Sequence, residues 1–149
     1  PISIKDLNPL HEKLSVNAID DYSALIEWNN YESGDRLYFQ TFDNAFSTPP
    51  SETFKEKSSI KGDELVLYFE IEKHLPHDFI FDVFFMQYND EQRVYSEKES
   101  FHIMKQQNIF KHKIKKHPMA TNFKIAFKVS EPYITGKFSL HQVRIDFYN

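Results

Sequence analysis

Apolar residues recur at every second position along most of this chain, which is the pattern of β-strands that bury one face. The clearest case is residues 65–72, where the apolar positions are Leu65, Leu67, Phe69 and Ile71. Residues 79–88 carry apolar side chains on both faces, so we expect this strand to lie in the interior of a sheet. Helical spacing is not evident, and only the opening residues around Asn8 and Pro9 could form a short helix or a loose lead-in.

Further strands are predicted by the same alternation and by the turn-forming residues between them. They cover residues 22–28, 37–42, 53–58, 93–95, 110–115, 122–129 and 137–148, and residues 101–104 are expected to continue the strand at 93–95. In the last of these segments, the apolar positions are even-numbered up to Leu140 and odd-numbered from Val143 onward. An extra residue near His141 and Gln142 would absorb that shift, so the sequence predicts a β-bulge there.

About nine or ten short strands with frequent turns predict an all-β domain, built as an antiparallel two-sheet β-sandwich. A jelly-roll-like arrangement is favoured, and an immunoglobulin-like sandwich is the alternative. A closed barrel is a third architecture, but three glycines in 149 residues are few for the corners of a small barrel. Aromatic residues make up 16% of the chain, and their large rings can form a core without the help of cysteines.

We expect residues 1–149 to form one domain, since this length is typical of a single domain. The chain starts at Pro1 without an initiator methionine, which fits a processed chain or a fragment of a longer protein, and we favour the fragment. No stretch approaches the roughly 18 apolar residues of a membrane span. We therefore expect a soluble domain without a membrane span, and the sequence leaves its localisation open between the cytoplasm and the cell envelope.

The net charge of −4 conceals an uneven distribution along the chain. Residues 1–104 have a net charge of −11, whereas residues 105–149 have a net charge of +7. A basic segment of this kind can bind an anionic partner. Neighbouring strands of opposite charge can equally pair with each other, and the sequence alone leaves both interpretations open.

No motif in the sequence predicts catalysis. A Gly-x-Ser-x-Gly elbow and a glycine-rich phosphate loop are both missing from the sequence, and these are the usual local marks of a nucleophile or a nucleotide site. Adjacent carboxylates such as Asp20 and Asp21 lie in predicted turns, and neighbouring side chains on a strand point apart. We therefore expect a protein that is not an enzyme and has no cofactor.

Two patterns keep a metal site open as a hypothesis. His74 and His77 with Asp78 could bind zinc if a further ligand converged on them, although the same residues are typical of a solvated loop. Calcium is the other candidate, because sandwich domains can hold it with oxygen atoms from turns. The oxygen-bearing side chains considered for it are Asp20, Asp21, Asp43 and Asn44.

A set of aromatic and polar residues falls out of phase with the predicted core. In the register drawn from the sequence, they would share one sheet face and form an aromatic platform for a sugar, with rings stacking on pyranoses and polar groups contacting hydroxyls. The members of this platform are Tyr38, Gln40, Tyr68, Asp82, Phe84 and Tyr88. The alternative is a second hydrophobic surface that a loop or a partner covers. Trp28, the only tryptophan, is in phase with Ile26 and is expected in the core.

Lysines form the most concentrated surface feature of the sequence. This lysine stripe comprises Lys111, Lys113, Lys115, Lys116, Lys124 and Lys128. On adjacent strands it would make a positive face able to bind an acidic polysaccharide, a phosphate-rich polymer or nucleic acid. Lysines also protect edge strands from pairing with other molecules, which is the alternative interpretation. Nucleic acid is not an expected partner, because the chain is acidic and has no recognition module.

Two segments resemble known non-catalytic modules. The ending GKFSLHQVRIDFYN, residues 136–149, resembles the closing strand of jelly-roll carbohydrate-binding modules. Residues 79–101, an aromatic strand followed by a polar turn and Arg93-Val-Tyr-Ser-Glu, are similar to sandwich modules that accompany bacterial surface-polysaccharide enzymes. The resemblance implies an accessory module that recognises carbohydrate or a cell-envelope glycopolymer. The alternative function is a protein-interaction or oligomerisation domain that positions a larger protein, with exposed aromatics as its interface.

Overall fold

Strands account for all the regular structure in the part of the chain that the computed structural model describes, which is residues 7–41, 43–46, 64–74, 78–130 and 132–147. In chain order the strands are β1 (Asn8–Pro9), β2 (Leu14–Asp20), β3 (Ser23–Trp28), β4 (Leu37–Gln40), β5 (Asn44–Ala45), β6 (Glu64–Lys73), β7 (Phe79–Asn89), β8 (Gln92–Ile103), β9 (Gln107–Lys115), β10 (Asn122–Ser130) and β11 (Gly136–Phe147). The all-β prediction is confirmed.

The strands form two antiparallel sheets, as predicted. Sheet A has the order β1-β4-β10-β7-β8, with β5 also paired to β10, and sheet B has the order β2-β3-β11-β6-β9. Consecutive strands lie in different sheets at seven places: β1/β2, β3/β4, β5/β6, β6/β7, β8/β9, β9/β10 and β10/β11. This repeated crossing produces a jelly-roll sandwich. It also means that strands close in sequence often lie on opposite sides of the molecule.

Phenylalanine rings from both sheets build the core, because the alternating apolar positions all point into the space between the sheets. Within sheet A, Phe127 stacks on Phe39 and on Phe81, with ring centroids 5.0 and 5.4 Å apart. Phe69 of sheet B meets Phe81 edge-on at 5.9 Å, which joins the two sheets. All four rings are essentially inaccessible to solvent. The residue periodicity thus predicted the core-facing positions correctly.

The bulge predicted in the last strand is present. The pairing of β11 with β6 shifts register between His141 and Arg144, and Gln142 has a positive φ of 56°. The backbone N–H of Gln142 donates to the carbonyl oxygen of Tyr22 at 2.9 Å. The extra residue lets Leu140 before the bulge and Val143 after it both reach the core, which a regular strand would not allow.

The expected continuation of the strand at 93–95 into residues 101–104 is confirmed up to Ile103, because the charged residues between the two segments still pair with β7 in β8. Two other points need correction. Residues 8 and 9 form the short strand β1 rather than a short helix or a loose lead-in, and they pair with β4. Strand β2 was not predicted, because its alternation rests on only Leu14, Val16 and Ala18 and it has no aromatic residue. The strand predicted at 53–58 lies outside the described residues.

Trp28 lies in the core, as predicted, with 3% of its surface exposed. Its indole Nε1–H donates to the carbonyl oxygen of Tyr133 at 2.8 Å. Gly136 is its partner across the β3–β11 pairing. A Cβ atom at position 136 would lie 1.9 Å from Cζ2 of the indole ring, so only glycine fits below it.

We expect Gly136→Ala to lower the free energy of unfolding by about 1–3 kcal/mol, because the added methyl group overpacks the site. Urea denaturation of the variant measures this loss. In the double variant Gly136→Ala with Trp28→Phe, the smaller ring leaves room for the methyl group, so the two losses should be clearly less than additive. Additive losses, or an unaffected single variant, would show that the ring does not define the space at position 136.

Candidate functional site

Five of the six residues predicted for the aromatic platform lie together on the outer face of sheet A. Lys128 of β10 is opposite Tyr38 and Asp82, and Ala126 is opposite Gln40 and Phe84. Tyr88 is on the same side, further along β7, opposite Asn122. The predicted side-chain alternation therefore brings Tyr38, Gln40, Asp82, Phe84 and Tyr88 onto one surface.

Tyr68 is the exception, and its assignment to this face was wrong. It lies on the outer face of sheet B, opposite Arg144 of β11 and Lys111 of β9. Alternation shows which residues of a strand share a side, but it does not show which sheet the strand joins. Since β6 and β7 lie in different sheets, outward residues of these two strands point to opposite sides of the molecule.

The three aromatic rings of the predicted platform on the outer face of sheet A each have a lysine above them. Lys128 Nζ lies 5.6 Å from the ring centroid of Tyr38, Lys98 Nζ 5.7 Å from that of Phe84, and Lys124 Nζ 5.4 Å from that of Tyr88. These are cation–π distances. The rings are partly buried beneath these side chains, which leaves them less open to a stacked sugar than the sequence pattern indicated.

Asp82 is buried in the middle of this face, with 4% of its surface exposed. Its carboxylate accepts hydrogen bonds from the hydroxyls of Ser100 at 2.6 Å and Ser130 at 2.5 Å, and Lys98 Nζ lies 3.7 Å away. Burial acts to raise the pKa of Asp82, but the two hydroxyls together with Lys98 and Lys128 outweigh it and hold the pKa below its ordinary value. The carboxylate is therefore ionised and already hydrogen-bonded within the protein.

A groove of about 570 Å³ crosses the outer face of sheet B. It runs over β6, β9 and the bulge of β11, and its lining residues are Glu70, Ile71, Glu72, Gln107, Asn108, Ile109, His141 and Gln142. We call this site the sheet B groove. Its walls are carboxylate, amide and imidazole groups, with the exposed apolar side chain of Ile109 at one side. A smaller hollow of about 280 Å³ adjoins it through Gln107, Asn108 and Ile109.

Tyr68 borders the sheet B groove through its contact with Glu70. Its hydroxyl donates to Glu70 Oε2 at 2.8 Å, and this hydrogen bond, followed by desolvation, raises the pKa of the phenol. The guanidinium of Arg144 lies 3.9 Å from the centroid of the Tyr68 ring, and its Nε donates to Asp146 at 3.0 Å. The tyrosine, the carboxylate and the arginine thus hold one another in place at the edge of the groove.

Two histidine–serine pairs lie on the same face of sheet B. His141 Nδ1 is 2.7 Å from the Ser23 hydroxyl, and His74 Nε2 is 2.6 Å from the Ser139 hydroxyl. Glu72 Oε1 also approaches His74, but at the same nitrogen, 3.6 Å away. In a Ser-His-Asp triad the carboxylate binds the other ring nitrogen, so this arrangement does not match that catalytic geometry.

The lysine stripe predicted from the sequence is divided between both sides of the sandwich. Lys111, Lys113 and Lys115 lie on β9 in sheet B, whereas Lys124 and Lys128 lie on β10 in sheet A. The ammonium group of Lys116 donates to the carbonyl oxygens of His117 and Ala120 at 3.2 and 3.0 Å and lies 5.0 Å from the Phe46 ring centroid. A single continuous patch was therefore the wrong prediction, because consecutive strands β9 and β10 join different sheets.

Pairing between basic and acidic strands, the other interpretation of the charge asymmetry, is confirmed. Basic β9 pairs with acidic β6, where Lys115 is opposite Glu64. In β11, Lys137 is opposite Glu27 of β3. Part of the positive charge of residues 105–149 is thus placed beside the negative charge of the preceding part of the chain, which is favourable for sheet pairing.

The candidate metal ligands do not converge in the described structure. Asp20 ends β2 and Asp21 follows it in the turn before β3 of sheet B, whereas Asp43 and Asn44 lie at β5 of sheet A. Among the described residues, no group of three or more His, Asp or Glu side chains is placed to hold a metal ion. His77 of the zinc hypothesis lies outside the described residues, and Asp78 accepts a hydrogen bond from Lys73 Nζ at 3.0 Å.

No family model and no curated protein matches this chain, but solved structures share its fold. The enzymatically active domain of tailspike protein 4 from bacteriophage CBA120 is 13% identical to this chain, with a TM-score of 0.67. The match covers 99% of this chain and 20% of the tailspike chain. A family 4 carbohydrate-binding module is 12% identical, with a TM-score of 0.58, and the match covers 91% of this chain and 78% of the module. A family 28 module specific for non-crystalline cellulose is 11% identical, with a TM-score of 0.53, and the match covers 97% of this chain and 92% of the module.

These likenesses define the class of fold. The chain is a jelly-roll β-sandwich of the kind seen in carbohydrate-binding modules of families 4 and 28. It spans about a fifth of the length of the tailspike domain. Among the described residues, the structure contains no helix that is long and apolar enough to cross a membrane.

Acid should destabilise the protein partly through Asp82. Because its folded-state pKa lies below the unfolded value of about 3.9, its hydrogen bonds stabilise the protein fully above that value, and their contribution is lost as the pH falls through the folded-state pKa. We expect Asp82→Asn to have a lower free energy of unfolding than the wild type at neutral pH. We also expect it to lack the part of the fall in stability at low pH that protonation of Asp82 causes. Urea unfolding of both proteins from about pH 7 to about pH 2 measures the difference.

The double variant Ser100→Ala with Ser130→Ala is the control for this prediction. It keeps the carboxylate and removes both hydroxyl donors, so the folded-state pKa of Asp82 rises towards its unfolded value and the loss of stability that Asp82 causes in acid becomes smaller. Parallel pH curves for the wild type and Asp82→Asn would contradict the assignment of this acid sensitivity to Asp82.

Proposed function

We propose that this domain is a non-catalytic module that binds carbohydrate in the sheet B groove. The observation that supports this most directly is the groove itself, about 570 Å³ of open volume with hydrogen-bonding walls on a sandwich shared with carbohydrate-binding modules. Ligand sites are usually concave and few in number. The proposed ligand is a carbohydrate chain or cell-envelope glycopolymer.

The chemistry of the groove suits a ligand rich in hydroxyl groups. Carboxylates accept hydrogen bonds, amides both donate and accept them, and hydroxyls can take part in both roles. Glu70 and Glu72 provide the carboxylates on β6, and Gln107 and Gln142 provide amides from the strands on either side. A pyranose in the groove would therefore meet acceptors at its centre and donors on both flanks.

Rigid support is the second argument for this site. Glu70 and Glu72 stand on a strand that is paired along its length with β9 on one side and β11 on the other. The Tyr68 hydroxyl fixes Glu70. Polar groups that are oriented before the ligand arrives lose less conformational entropy on binding, which favours a binding function for this face.

A glycan array followed by calorimetry tests the proposal on the domain and two matched variants. Tyr68→Ala removes the side chain that orients Glu70, and we expect it to weaken binding of the captured glycan by roughly tenfold. Tyr38→Ala makes the same substitution on sheet A, away from the groove, and should bind like the wild type. Thermal unfolding of both variants confirms that each remains folded.

The opposite pattern, with loss in Tyr38→Ala and retention in Tyr68→Ala, would contradict the groove and support the predicted aromatic platform instead. Release of reducing ends from the bound glycan would contradict the non-catalytic part of the proposal. Failure to bind any glycan, together with a concentration-dependent mass in light scattering, would favour the protein-interaction function.

A further inference from the structure

We propose that the outer face of sheet A is a second binding surface, separate from the sheet B groove, whose ligand is an acidic polysaccharide. The surface is made by β4, β10, β7 and β8 and contains the five remaining members of the predicted platform. Its cationic residues are Lys98, Lys124 and Lys128, joined at one end by Arg93. We call it the lysine face.

The charge of the lysine face is opposite to that of the whole chain. Among the described strand residues that point outward from sheet A, Asp82 is the one carboxylate. It is buried, and both its oxygens already accept hydrogen bonds from serine hydroxyls. Lys98 Nζ lies 3.7 Å from this carboxylate, so Asp82 offsets one positive charge. With four cations (Arg93, Lys98, Lys124 and Lys128) against this one carboxylate, the described outward strand residues of sheet A keep a net charge of +3, although the chain carries −4 overall. Local charge complementarity of this kind selects an anionic partner.

The aromatic rings give these lysines a defined position. A free lysine side chain samples many rotamers, and fixing it on a ligand costs entropy. Here the side chains of Lys124 and Lys128 already lie across Tyr88 and Tyr38, with their ammonium groups within 6 Å of the ring centroids. The cation–π contacts hold the ammonium groups along the face, and an anion above it can bind them with a smaller entropy loss.

The spacing of the cations favours a polymer of moderate charge density. Lys124 and Lys128 are four residues apart on β10, which corresponds to about 13 Å. Lys98 is two strands away on β8, about 10 Å across the sheet. A double-stranded nucleic acid carries one charge per about 1.7 Å, much denser than this array. Stacking of single-stranded bases would also need open rings, whereas these are covered by lysines.

Polygalacturonate is the probe that we would use, since it carries carboxylates at regular intervals along a sugar chain. Uncharged dextran and oligothymidylate serve as comparisons. We expect the wild-type domain to bind polygalacturonate, and the double variant Lys124→Gln with Lys128→Gln to bind it roughly three- to tenfold more weakly. Raising the salt concentration from about 50 to about 200 mM should weaken the wild type more than the variant.

The matched control removes two lysines from sheet B instead, as Lys115→Gln with Lys137→Gln, and should bind like the wild type. Equal losses in both double variants would overturn the proposal, because binding would then follow net charge rather than this face. Absence of polygalacturonate binding, or tighter binding of oligothymidylate, would also overturn it. Tyr68→Ala should retain polygalacturonate binding, which separates a failure of the lysine face from a failure of the sheet B groove.

Discussion

The contact between phenylalanine rings of the two sheets fixes the positions of everything on the outer surfaces. Phe69 from sheet B meets Phe81 from sheet A, and Phe81 stacks in turn on Phe127. Because every inward residue of a strand determines its outward neighbours, locking these rings together also locks the direction of Tyr68 and Glu70 on one side and of Asp82 and Lys128 on the other. The aromatic content of the chain therefore sets the orientation of both candidate surfaces as well as the stability of the core.

Much of the local structure could be predicted from the sequence because it depends on neighbouring residues alone. The phase change around His141 and Gln142 indicated the bulge, and the alternation in residues 65–71 and 79–88 indicated the buried positions correctly. The sheet that each strand joins depends on contacts between residues far apart in the sequence. Tyr68 and the lysine stripe were misplaced for that reason.

The candidate sites show the same division between local and long-range information. The sheet B groove depends on β6, β9 and β11 lying side by side, and no motif in any one strand indicates it. Glu70, Glu72, Gln107 and His141 each look like ordinary outward residues of an alternating strand. The platform residues were found because they are aromatic, but the lysines that cover them come from β8 and β10, strands whose partners the sequence did not reveal.

The bulge in β11 separates the choice of a surface residue from the alternation that places the neighbouring residues in the core. In a regular strand, inserting or removing a residue moves every later side chain to the other face. The bulge confines its extra residue to Gln142, which lines the groove while Leu140 and Val143 remain buried on either side of it. Changes of side chain at this position can therefore alter the lining of the groove without exposing the hydrophobic interior. A protein built in this way can vary its surface at this position independently of its core, within the residue types that tolerate a positive φ.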